Sequence, residues 1–244
     1  MVMTQNQLQT KWGDLTAKNE RVGTVAMLLY PGMTALDLVG PQYVFSVMRM
    51  SVYLIANTKE PVLTDTGLAI VPTMTFEDCP EKVTILFVPG GSEGTLAAME
   101  DEATLSFIRS RGAQADYVTS VCTGSLILAA AGLLKDYKAT SHWATRDLLE
   151  EAGAELEEGR VVFDRNRITG GGVTAGIDFG LAIAGRIRGD EYAKLIQLIA
   201  EYSPEPPYRS GTPCEADEAT VKHVTEMFIP FVTKARELLQ RADN

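Results

Sequence analysis

Short, almost wholly apolar runs separated by helix-length segments constrain this chain more than anything else in it. Residues 22–30 (VGTVAMLLY), 83–88 (VTILFV) and 117–121 (YVTSV) read as strands. The first two carry no polar face, as expected of strands buried on both sides. Residues 51–57 alternate like another strand, 61–71 form a hairpin pattern around Asp65-Thr66-Gly67, and short strands follow near Leu156 and over 161–163 and 167–169. Helical periodicity fills the gaps over residues 36–48, 96–111, 123–134, 143–152 and 175–186. In the first of these, Gly40-Pro41 falls where a helix begins. Strands alternating with helices imply an α/β fold, a mostly parallel sheet with helices on both faces. Sites in such sheets form at the carboxyl ends of the strands.

A chain of 244 residues allows one large domain or two small ones at roughly 100–200 residues per domain. We expect an N-terminal arm over 1–20, polar throughout, one α/β domain over 21–213, and a C-terminal helix within 214–244. That helix should carry Val221, Val224, Phe228 and Phe231 as one apolar stripe and kink at Pro230. The stripe would pack on the domain or on a second subunit. Residues 203–213 (SPEPPYRSGTP) read as an extended excursion. A net charge of −10 argues against nucleic acid or an anionic membrane surface as a partner, since both need clustered cations. Three cysteines are too few for a disulfide framework, so a reducing, cytoplasmic setting is expected. No segment is apolar enough for a signal peptide or a membrane span.

Of those cysteines, Cys122 stands at the end of a buried strand and opens a helix through Thr123-Gly124-Ser125. The small residues permit a sharp turn, as in nucleophile elbows, and a helix start favours a thiolate. Cys79 and Cys214 lie in turn-like sequence. A cysteine nucleophile usually has a histidine partner, yet only His142 and His223 exist and Thr123 occupies the adjoining position. His142 can approach the site from beyond the elbow helix, or can be a polar residue at a helix start. Asp37, between apolar neighbours in ALDLVGP, is either a helix N-cap or a carboxyl group kept protonated by its surroundings. Residues 170–175 (GGGVTA) formally fit a dinucleotide fingerprint, but Asp190-Glu191 falls in helical sequence rather than at a strand end. The loop Pro89-Gly90-Gly91 lacks the Lys-Ser/Thr ending of a phosphate loop and suits presentation of backbone N–H groups. No residues have metal-ligand spacing, so no cofactor is expected.

The segments ALDLVGP (35–41), FVPGG (87–91), VTSVCTGSLILAAAGLL (118–134), ATSHWA (139–144), TGGGVTAGIDF (169–179) and EYSPEPPY (201–208) together resemble the ThiJ/PfpI superfamily, relatives of the class I glutamine amidotransferases. Within it they are similar to the isonitrile (isocyanide) hydratases. The resemblance implies a flavodoxin-like sandwich, a homodimer and a small-molecule isonitrile substrate. It makes Cys122 the nucleophile, Asp37 the acid/base and Thr123 a hydrogen-bonding neighbour. Backbone N–H groups near Gly91 and Thr123 would line the pocket beside Gly90, with Val173 and Tyr202 close by; His142, from its place after the elbow helix, is a further substrate-binding candidate. The implied reaction hydrates an isonitrile to an N-substituted formamide through a cysteine thioimidate. Thr123 speaks against the peptidase members, which place His after the Cys. The segment after Pro213 is too short for the DNA-binding region of the regulator members. A glyoxalase-like enzyme of the same superfamily and a non-enzymatic redox sensor at Cys122 remain open alternatives.

Overall fold

The computed structural model describes residues 22–242; the expected N-terminal arm lies outside them. Strand β1 (Thr24–Leu28) leads through Pro31-Gly32 into helix α1 (Ala35–Val47) and back into β2 (Ser51–Ala56). A small hairpin, β3 (Val62–Leu63) and β4 (Ala69–Ile70), turns at the expected Asp65-Thr66-Gly67 and precedes β5 (Met74–Thr75). Strand β6 (Ile85–Val88) is followed by α2 (Glu93–Glu100) and α3 (Glu102–Gly112). Next come β7 (Tyr117–Val121) and the two-turn helix α4 (Gly124–Ala130). The remainder is β8 (Lys138–Ala139), α5 (Leu148–Glu151), β9 (Glu155–Leu156), β10 (Val161–Asp164), β11 (Arg167–Gly170), α6 (Ala175–Arg188), α7 (Asp190–Ile199) and α8 (Glu218–Ala242).

Seven strands form one sheet in the order β10-β11-β7-β6-β1-β2-β5, and every neighbouring pair except β10–β11 is parallel. This is the flavodoxin-like α/β arrangement expected from the sequence. Parallel direction brings the carboxyl ends of β1, β6, β7 and β11 to one edge. Pro31–Thr34, Pro89–Gly91, Cys122-Thr123 and the glycines at 170–172 therefore meet there.

Helix α1 packs closely on α6, because glycine stands where the two approach. A Cβ at Gly180 would lie 2.9 Å from Val44, and one at Gly176 would lie 3.0 Å from Pro41. Beneath them Phe45, Phe87 and Phe179 form a mutually contacting cluster with centroids 5.7–6.4 Å apart, worth more than its buried area alone. Helices α2, α4 and α8 pack together elsewhere on the sheet. The C-terminal stripe docks within its own chain: Phe231, Ala235, Leu238 and Leu239 belong to the core, and Arg236 pairs with Glu151. Val221 and Val224 are only half-buried.

Three local expectations give way. The helix expected over 96–111 is two helices, broken at Asp101, whose backbone is extended (φ −84°, ψ 103°). Its carboxylate accepts from the Thr104 N–H at 3.0 Å and the Thr104 hydroxyl at 2.6 Å, so a cap replaces helix continuation. Within 143–152 only Leu148–Glu151 is helical, since Thr145 bonds back to His142 and forms a turn instead. Pro41 lies inside α1 rather than at its start, which leaves the Asp37 carbonyl without its usual helical donor.

Crowding at the α1–α6 crossing is testable. Gly180→Leu should lower stability by about 2 kcal/mol, as overpacking does, read from the denaturant midpoint. An unchanged midpoint would show that the two helices are not held at contact distance.

Candidate active site

The residues at the carboxyl edge close on one another around Gly90. A Cβ added there would lie 2.7 Å from Asp37 Oδ2, from Cys122 Cβ and from the Thr123 backbone nitrogen alike. Asp37, Cys122 and Thr123 thus surround a gap that only glycine fits. All three are buried.

Cys122 sits on a strained turn with φ +54°, a region that non-glycine residues rarely adopt. Bonds on both sides hold it there. Its N–H reaches the carbonyls of Gly170 (3.1 Å) and Gly171 (2.8 Å), and its own carbonyl accepts from the hydroxyls of Ser125 and Ser141, each at 3.1 Å. The sharp turn expected from the sequence is therefore present, and strain of this kind clusters at functional sites.

Asp37 is the third residue of α1. The N-cap position belongs to Thr34, whose hydroxyl instead donates to Asp65 at 2.6 Å. The Asp37 carboxyl points inward, and Oδ2 accepts the Gly90 N–H at 2.9 Å. Oδ1 is buried without a partner of ordinary hydrogen-bond geometry. Burial raises this carboxyl to about 7; the Gly90 N–H and the Cys122 thiol pull against that rise. Of the two readings of Asp37, the helix cap gives way and the raised carboxyl group stands.

The shift at Cys122 runs opposite to the one expected from a helix start. Burial, then the facing Asp37 charge, push the thiol well above its ordinary range, against smaller opposing effects of the Thr123 N–H and hydroxyl. Helix α4 is only seven residues long, too little to overcome desolvation. Two groups this close titrate as a pair.

The glycine loop departs from expectation as well. Neither N–H of Gly90 or Gly91 is free for a substrate, because the first donates to Asp37 and the second to Thr123 Oγ1 at 2.9 Å. The loop orients the acid and the hydroxyl instead. Thr123 Oγ1 in turn donates to the Gly91 carbonyl at 2.7 Å.

His142 does not supply a base to Cys122. Its ring stacks on Phe228 of α8 (centroids 5.0 Å apart, 10° between planes), and Nδ1 accepts the Ala144 N–H at 3.2 Å. Burial lowers its proton affinity. A Cβ at Gly172 would meet its ring at 2.8 Å, so His142 backs the glycine loop. Tyr202 donates to both oxygens of Asp178 in α6 at 3.1 Å. Asp178 also pairs with Arg160, whose carbonyl accepts the Gly171 N–H. Tyr202 therefore acts on the loop from behind, while Val173 lies half-buried within it. Cys79 is buried and Cys214 exposed, and His223 is exposed. Among the described residues no His, Cys, Asp and Glu cluster could hold a metal ion.

Four contributors escaped the sequence reading. Ser125 and Ser141 hold the elbow carbonyl, whereas the neighbouring His142 had drawn attention. Tyr30 and Thr95 are buried beside Thr123, with Thr95 Oγ1 2.9 Å from Thr123 Oγ1. The hydroxyl ending the apolar run at Tyr30, on the sheet's carboxyl edge, was the available signal.

A cysteine on a strained strand-to-helix turn, facing a buried carboxyl group across a glycine, defines an elbow-type α/β protein with a cysteine–aspartate pair. The chain belongs to the DJ-1/PfpI family, whose model matches residues 23–186. It is 48% identical to the isonitrile hydratase of Pseudomonas putida, over 89% of this chain and 95% of that protein. A ThiJ/PfpI family protein from Pseudomonas syringae, solved by crystallography, shares 53% identity and superposes with a TM-score of 0.87, covering 89% and 90% of the two chains. Drosophila melanogaster DJ-1beta, at 21% identity and a TM-score of 0.68 over 74% of this chain and 98% of that one, shares the fold.

The raised carboxyl makes a stability prediction. The folded protein holds the Asp37 proton more tightly than the unfolded chain does. Its contribution is therefore complete below about pH 4 and lost as pH rises through about 7. Asp37→Asn should remove that loss and flatten stability between pH 5 and 8, a difference on the order of 2–4 kcal/mol at the upper end. Parallel denaturation curves for the two proteins across this range would refute the shift.

Proposed function

We propose that the protein hydrates isonitriles to N-substituted formamides through a thioimidate on Cys122. The observation carrying this reading is the buried Asp37 carboxyl, set across the Gly90 gap from Cys122 and interacting with its thiol. An acid that can release and retake a proton beside a nucleophile needs no histidine. Support comes from the name of the 48%-identical Pseudomonas putida relative.

The terminal carbon of an isonitrile must gain both a nucleophile and a proton. In the resting pair the proton sits on sulfur and Asp37 is poised near neutrality. Ionised Asp37 takes the thiol proton as sulfur attacks the carbon, then delivers it to that same carbon. A C–S and a C–H bond form, the carbon–nitrogen triple bond becomes double, and the thioimidate results. Asp37, ionised again, removes a proton from water as its oxygen adds to the carbon, and passes that proton to nitrogen. The C–S bond then breaks, the hydroxyl proton returns to sulfur by way of Asp37, and the formamide leaves. Sequestration of the pair strengthens each electrostatic step. Thr123 serves as a hydrogen-bonding neighbour of the sulfur.

We further propose a cytoplasmic homodimer. Leu36, Val39 and Tyr43 lie 40–45% exposed on α1, the helix that carries Asp37, and offer an apolar stripe for a second copy. No helix among the described residues is long and apolar enough to cross a membrane. A monomer mass in sedimentation equilibrium would end the dimer proposal.

Cys122→Ala should abolish formamide production from a simple alkyl isonitrile. Asp37→Asn should lower kcat roughly a thousandfold, within the range for lost acid–base catalysis. Intact-protein mass spectra during turnover should show an adduct equal to the isonitrile mass, confined to the Cys122 peptide. Turnover by Cys122→Ala, or full rate in Asp37→Asn, would overturn the respective role.

A further inference from the structure

Beside the reacting pair lies a chain of three buried hydroxyls, of which the reaction as written uses only Thr123. Tyr30, at the end of β1, donates to the Pro89 carbonyl at 2.9 Å and lies 3.3 Å from Thr95 Oγ1. Thr95, in the first turn of α2, lies within reach of the Gly91 carbonyl at 3.0 Å and of Thr123 Oγ1 at 2.9 Å. Thr123 reaches that same Gly91 carbonyl at 2.7 Å, while its oxygen accepts the Gly91 N–H. None of the three is more than 4% exposed, so water cannot stand in for a missing partner.

Counting protons shows what the arrangement permits. Each hydroxyl has one hydrogen to give. Tyr30 commits its own to Pro89, which fixes its oxygen as an acceptor toward Thr95. The Gly91 carbonyl is offered two donors, Thr123 and Thr95, and needs only one. When Thr95 donates there, Thr123 can turn its hydrogen toward the adjacent sulfur without leaving a buried carbonyl unpaired. When Thr95 turns to Tyr30 or Thr123, the Thr123 hydrogen returns to Gly91. Without the Thr95 hydroxyl, only Thr123 can satisfy that carbonyl, and a turn toward sulfur strands it.

We propose that Tyr30 and Thr95 are positioning residues that free the Thr123 hydroxyl to stabilise the sulfur of Cys122 as negative charge develops on it. Thr95 is the substitute donor for Gly91, and Tyr30 holds Thr95 within reach. The proposal rests on Cys122 being the nucleophile, but not on which small unsaturated substrate it attacks.

Alkylation by iodoacetamide tests it without an isonitrile. Rates would be followed at pH 7.5 by peptide mass spectrometry, with exposed Cys214 as the internal standard. Thr95→Val, which keeps the side-chain shape, should slow Cys122 alkylation about tenfold relative to Cys214, the scale of one hydrogen bond to a charged group. Tyr30→Phe should act in the same direction more weakly. Thr95→Ser should restore the wild-type ratio. With an alkyl isonitrile the same variants should lower kcat and leave KM within twofold. A folded Thr95→Val protein with the wild-type alkylation ratio would overturn the proposal. Loss of the fold in both Thr95→Val and Tyr30→Phe would do so too, since the hydroxyls would then be structural. Resistance of wild-type Cys122 to alkylation would instead overturn its assignment as nucleophile.

Discussion

Asp37 and Cys122 face each other across a space that Gly90 keeps empty, and much of the surrounding structure serves to hold them there. Neither group is comfortable in that position. Burial raises both, and the Asp37 charge makes ionising Cys122 harder still, while the Cys122 thiol favours the ionised carboxylate. Such a pair persists only where covalent and packing constraints over-determine its geometry. Asp37 is held by α1, which is pressed against α6 through Gly176 and Gly180 and anchored by the Gly90 N–H. Cys122 is held by four hydrogen bonds at its own peptide groups. These constraints come from four different strand ends, which is why a parallel sheet with several crossovers can build this site and an isolated βαβ unit cannot.

The loops around the pair share one physical role, which is to spend backbone groups on alignment. Both glycine N–H groups in Pro89-Gly90-Gly91 go to side chains of the site rather than to a bound molecule. The loop at 170–172 gives two carbonyls to the Cys122 N–H, and from outside it is braced by His142 and Arg160, the latter paired with Asp178, which Tyr202 also bonds. Helix α8 joins this outer support through the stack of Phe228 on His142. A C-terminal helix far from the nucleophile in sequence thereby bears on the loop that fixes the nucleophile's backbone.

Residues whose role follows from local covalent chemistry were legible in the sequence. Apolar runs buried on both faces marked the parallel strands, and small residues after Cys122 marked the elbow. Apolar neighbours of Asp37 correctly signalled a raised carboxyl group. What failed depended on which partner a side chain found, near or far in the chain. Asp101 ended a helix because its carboxylate found Thr104, while periodicity on both sides read straight through. Pro41 was tolerated inside α1 because Gly176 allowed α6 to pack over it. The Cys122 titration was misjudged because local sequence shows the helix start and not the depth of burial. His142 was assigned to the pocket by proximity in sequence, yet its nearest ring is 86 positions away.

That pattern bears on which residues of such a site can be found from one sequence. Groups that touch substrate tend to sit on tight turns between elements, where glycine and small residues announce them. Groups that act through another side chain sit on the ends of ordinary strands and helices, where their neighbours are generic. Tyr30 closes an apolar strand and Thr95 opens an amphipathic helix; in isolation each is unremarkable. Their meaning comes from sharing one carbonyl, that of Gly91, with Thr123. A carbonyl with two willing donors is a place where a hydrogen bond can change hands at little cost, because no buried acceptor is stranded in the exchange. Beside a nucleophile whose charge appears only during reaction, that freedom is as useful as a fixed donor.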